Sequence, residues 1–140
     1  MLAATLSSGY FYIFTPDYIG ERKDAEFLIA RGWIPDALPN GAYDIHEEHS
    51  LDLNIGWGNF RFRESEKLGF RKILAERSSE LHPNESAIEI IKDYKNHNSY
   101  LVYHGASDGH SLILVDWSSN EGVFYYDSKG YISNGPFTKL

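Results

Sequence analysis

The chain has 140 residues, 42% hydrophobic and 15% aromatic, with a net charge of −7 and a pI near 5.3. That length makes one ordinary domain with a core of its own, and its acidity repels phosphate backbones, which argues against a nucleic-acid partner. There is no cysteine, so disulfides, thiol nucleophiles, cysteine-ligated zinc and thiolate-bound iron–sulfur clusters are excluded.

Residues 1–14, MLAATLSSGYFYIF, carry no charged side chain. They are too few to span a bilayer, and with no basic start they are not a complete signal peptide. Two readings stand. The segment is an aromatic strand or arm packed on the domain, or it is the tail of a longer signal or membrane anchor. The small residues Ala3, Ala4, Ser7 and Ser8 favour the second. Residues 1–17 are therefore set apart from a single α+β domain at 18–128, and any membrane association would come through a missing upstream segment.

Residues 21–31 read as a helix, with Ala25, Leu28 and Ile29 at helical spacing. Gly32 fits the residue that ends it, and Pro35 blocks continuation. Residues 42–48 fit a strand or a short helix. Residues 55–63 are a strand, because Phe60 and Phe62 alternate with Asn59, Arg61 and Arg63. The glycines Gly56 and Gly58 suggest a bulge or a close backbone approach at its start. Ser65 is the N-cap expected for a helix to Arg77 with Phe70, Ile73 and Leu74 on its apolar stripe. Pro83 and Asn84 start a third helix, to about Asn96, with Ala87, Ile88, Ile91 and Tyr94 as the stripe.

Strands at 99–104, 110–117 and 123–127 follow, joined by two loops with turn chemistry. Leu112, Ile113, Leu114 and Val115 are apolar on both faces, which marks a central strand. Residues 129–140 read as an extended tail. The expected fold class is α+β, a mainly antiparallel sheet of four to five strands with about three helices packed on it.

Two histidine groups could carry chemistry. On a helix, His46 and His49 would share one face and could bind a divalent metal with Asp52, while Asp44, Glu47 and Glu48 offer further hard ligands. On a strand the same spacing sends the two imidazoles to opposite faces. The order His-Glu-Glu-His is one residue short of the metalloprotease motif. In the second group, His104 and His110 flank a five-residue loop that contains Asp108. They could bind a metal or relay a proton, although turn chemistry alone accounts for every residue there. Ser107, Asp108 and His110 lack a nucleophile elbow, and no phosphate-binding glycine loop is present. No cofactor is called for, a divalent metal being the one these histidines would accept. Tyr100, Tyr103, Trp117 and Tyr125 are candidate anchors for a protein partner. The negative charge would attract a basic one, or it serves solubility alone, its commoner use.

The runs Gly32-Trp33-Ile34-Pro35, Ala42 to Asn54 (AYDIHEEHSLDLN) and Asn59-Phe60-Arg61-Phe62 resemble the bacterial YbbD-head-like family. Leu112 to Trp117 and Phe124-Tyr125-Tyr126 are similar to its closing hairpin, so the resemblance spans most of residues 18–127. Leu53 departs from the threonine usual there. The family has no assigned activity. The resemblance implies a bacterial chain, cytoplasmic or facing the envelope, and carries over no catalytic residue. The expected function is non-enzymatic protein binding, as an immunity-type inhibitor or an envelope-associated lipoprotein domain. The alternative is a metal-dependent hydrolase built on the histidine and carboxylate clusters.

Overall fold

The computed structural model describes residues 2–5, 11–52, 54–79, 85–103 and 110–127. It is α+β, as expected, but the antiparallel sheet is larger than the local patterns suggested. Its strands are β1 (Leu2–Thr5), β2 (Phe11–Gly20), β3 (Tyr43–Ser50), β4 (Ile55–Arg61), β5 (Ser78–Ser79), β6 (Asn98–Tyr103), β7 (His110–Asp116) and β8 (Glu121–Asp127). Seven of them run in the order β2-β3-β4-β8-β7-β6-β5, and β1 joins the outer side of β2. β1 pairs with residues 11–14 of β2, whereas β3 pairs with residues 15–20. The four-to-five-strand expectation falls short for two reasons: β2 starts in the segment set apart as an arm or anchor remnant and runs past it, and β5 is two residues long.

Two meanders make the sheet. β2, β3 and β4 form one, β6, β7 and β8 the other. They are joined by β8 pairing with β4 from Ile55↔Asp127 to Arg61↔Glu121. β7 is buried on both faces from Ser111 to Val115, as its apolar run requires, although β8 rather than β7 occupies the middle of the sheet.

Helices cover the sheet from both sides. One face packs Ile45, Phe60, Ile113 and Phe124 against α1 (Glu26–Ala30), the loop at 33–42 and α2 (Lys67–Arg77). The other packs Leu101, Leu112, Leu114 and Val123 against α3 (Glu85–Lys92).

The helix read at 21–31 is a 3-10 turn at Arg22–Asp24 followed by the short α1. Arg22 explains the break. Its guanidinium donates to the carbonyls of Asp36 and Leu38, and its backbone N–H donates to the Ala42 carbonyl. Burial holds the Arg22 guanidinium below its ordinary pKa. The end of α1 agrees with the sequence. Gly32 has φ 83°, its N–H donates to Ile29, and Trp33 N–H donates to Leu28, which is the Schellman pattern.

α2 starts two residues after Ser65, which lies in a 3-10 turn at Glu64–Glu66, so Ser65 does not cap it. Phe70 and Leu74 are buried, while Ile73 sits at the stripe's exposed edge. α3 stops at Lys92 rather than near Asn96. Ile90 joins its packed face and Ile88 turns outward. The start of that helix at Pro83-Asn84, the loop at 104–109 and the tail lie outside the described residues.

Candidate functional site: a cleft beside the third helix

α3 covers only part of its face of the sheet. One register row shows this, running Ser99, Leu114, Val123, Asn59, His46 and Tyr18 across β6, β7, β8, β4, β3 and β2. Leu114 and Val123 pack under α3. Asn59 and His46 are exposed, and Tyr18 is 59% exposed. Leu and Val on one side and Asn, His and Tyr on the other mark where the apolar cover ends.

A cleft of about 330 Å³ lies along that boundary. One wall is Tyr94 and His97, in the turns after α3. The other is Asp44, His46, Asn59 and Arg61 from β3 and β4, with Glu121 and Val123 from β8. Tyr94 and His97 meet edge to face at 5.0 Å, and the Tyr125 hydroxyl donates to the Tyr94 hydroxyl at 3.4 Å. Burial first, then that hydrogen bond, pushes the Tyr125 phenol well above its usual pKa. Among the described residues, the buried Nδ1 atom of His97 has no hydrogen-bond partner.

Asp44 is set by a bulge. The register of β3 shifts on both sides here, between Tyr18 and Gly20 of β2 and between Tyr43 and His46 against β4. Asp44 has φ 51°, a left-handed conformation that non-glycine residues adopt rarely and that occurs at such bulges. One of its oxygens accepts the Tyr18 hydroxyl at 3.0 Å and the other lies 4.0 Å from Arg61. The carboxylate raises the Tyr18 phenol's pKa, first by that hydrogen bond and then by charge. The Tyr18 ring also lies 4.7 Å from the His46 ring.

β3 is a strand, and the strand period separates the first histidine pair. His46 faces the cleft. His49 lies on the other face, where its Nδ1–H donates to the buried Glu47 carboxylate at 2.7 Å and its ring stacks on Trp33 at 4.4 Å. Asp52 is exposed in the turn after β3. The reading of His46, His49 and Asp52 as one metal set is therefore corrected: the strand splits it. Of the second set, His104 and Asp108 lie outside the described residues. The register sets His110 opposite Tyr103, ring to ring at 5.3 Å. Among the described residues, no three His, Asp or Glu side chains converge to hold a metal ion.

The four candidate aromatic anchors also divide. Trp117 is buried beneath the Arg71 guanidinium, 4.5 Å from its ring, and Tyr100 packs its edge. Tyr125 is half-buried under α3. Tyr103 remains as the exposed one, at 46%. Sequence reasoning missed Tyr18, Asn59, Arg61, His97 and Glu121 as site residues. Each is ordinary in its local pattern, and only the pairing of distant strands brings them to one cleft.

Residues 21–61 match the YbbD head domain. Over that stretch the chain is YbbD-head-like. The match confirms the resemblance but covers less than the sequence suggested, because the C-terminal hairpin falls outside it. The YbbD-head-like stretch supplies the loop at 33–42, β3 and β4, hence Asp44, His46, Asn59 and Arg61. Tyr94, His97 and Glu121 come from beyond it. No curated protein and no solved structure matches the chain.

Proposed function

We propose that this is a non-enzymatic domain that binds another protein through the open part of the sheet beside α3. The observation that carries the reading is the uncovered row of Asn59, His46 and Tyr18 next to a polar cleft. An exposed tyrosine beside a cleft is the kind of anchor that interfaces use. The net charge of −7 favours a basic partner. An immunity-type inhibitor of a secreted toxin is one concrete form, since such a protein needs a surface and no chemistry of its own. An envelope-associated lipoprotein domain is the other. The hydrolase alternative draws less support, because β3 turns His46 and His49 apart.

The test is native mass spectrometry of the protein gently purified from the cells that make it. The expected result is a complex of fixed stoichiometry with a second protein. It should be lost on Tyr18→Arg or His46→Glu and kept on Ile88→Ser, on the outer side of α3. A chain that runs alone, or a complex indifferent to the open strands, would overturn the reading.

A further inference from the structure

We infer that the cleft beside α3 receives a cationic side chain of the partner, an arginine above all. This rests on the protein-binding reading and specifies what that partner must present.

The lining is rich in acceptors. Glu121 lies directly opposite Asp116 on one side and Arg61 on the other in the register. Asp116 accepts hydrogen bonds from Ser118 and Ser119, which leaves Glu121 as the carboxylate of this strand pair that lines the cleft. Arg61 lines it too, but it is half exposed and lies 4.0 Å from Asp44. Asn59 adds an amide oxygen, and the buried Nδ1 of His97 has no hydrogen-bond partner among the described residues. A guanidinium carries five N–H donors in a plane and stacks on aromatic faces. The cleft offers carboxylate and amide oxygens on one wall and the rings of Tyr94 and His97 on the other.

The charge of the surrounding stretch points the same way. Residues 78–127, which contain α3 and β8, hold eight carboxylates against two lysines. A field of that sign draws cations toward the cleft.

The experiment is a two-dimensional NMR titration of the full chain with the blocked tripeptides Gly-Arg-Gly, Gly-Glu-Gly and Gly-Leu-Gly. The arginine peptide should shift the amides of Asn59, Tyr94, His97 and Glu121, with a Kd on the order of 1 mM, as a single side chain provides. Glu121→Gln should weaken it about tenfold while the remaining spectrum stays in place. Shifts from the glutamate peptide alone would make the cleft an anion site at Arg61 and overturn the inference, as would the absence of any localised shift.

The two readings fail separately. A partner complex that breaks on Tyr18→Arg but survives Glu121→Arg keeps the docking face and removes the cation site. An arginine peptide that binds a chain with no protein partner keeps the cleft and removes the docking reading.

Discussion

Gly58 shows how one missing side chain shapes the sheet. A Cβ at this position would run into the Phe124 ring and the His46 carbonyl oxygen, so β4 can pass beneath Phe124 only as glycine. Gly58→Ala should destabilise by about 1–3 kcal/mol, as other overpacked positions do. Gly69, in α2, has nothing within reach of an added Cβ, and Gly69→Ala should stabilise by roughly 0.5–1 kcal/mol through helix propensity. Chemical denaturation of both variants checks the pair, and equal effects would contradict the packing argument. Gly58 was readable in the sequence as a bulge or a close approach, and the structure makes it an approach. A second residue effect concerns pH. Hydrogen bonds from Ser118 and Ser119 hold the Asp116 carboxyl at about 2, below its usual 3.8. The folded value is the lower, so the contribution is present above 3.8 and disappears as pH falls through about 2. Ser118→Ala should move the Asp116 titration upward toward its ordinary value, followed by carboxyl-carbon NMR.

Among the elements, α1 and β7 carry opposite kinds of information. α1 is short, and its end is fixed by one residue. Gly32→Ala places a Cβ at φ 83° and should cost about 1–2 kcal/mol. β7 is long, and its stability comes from burial on both faces. Leu114 is fully buried against the α3 side, and Leu114→Ala should cost about 2–5 kcal/mol. Thermal unfolding of the two variants separates a backbone effect from a cavity. The elements that differ most from expectation are those shaped by distant partners. Arg22 trades a longer helix for bonds to the loop carbonyls at Asp36 and Leu38. Arg77 binds Asp36 at 2.6 Å and the Tyr103 carbonyl at 2.5 Å, tying that loop to β6. Neither contact has a local signature in the chain.

At the scale of the molecule, charge and cover are both uneven. Residues 78–127 hold eight carboxylates against two lysines, and α3 leaves Tyr18, His46 and Asn59 open beside them. On the protein-binding reading proposed above, that layout should steer association with a basic partner. Raising salt from about 0.05 to about 0.5 M should slow association roughly tenfold and leave dissociation nearly unchanged, because screening acts on the encounter more than on close contacts. Stopped-flow mixing with the captured partner measures both rates. An association rate indifferent to salt would detach the acidic stretch at 78–127 from binding.

What the sequence by itself determined are the features written in neighbouring residues. The apolar run of β7, the alternation at Phe60 and Phe62, the stop at Gly32 and the Phe70–Leu74 stripe all hold in the structure, because local backbone preference and burial period act within a few positions. Tertiary structure alone decided the rest. Residues 43–50 became a strand by pairing with β2 and β4, and that choice sent His46 to the cleft and His49 to Trp33. Pairing of β4 with β8 brought Arg61 to Glu121 across fifty-nine intervening positions. Which aromatics are exposed and which are core depended on where α2 and α3 came to lie. Trp117 is covered and Tyr18 is not, for a reason outside their own neighbourhoods: burial is a property of the partner surface, and the chain meets that surface only when it folds.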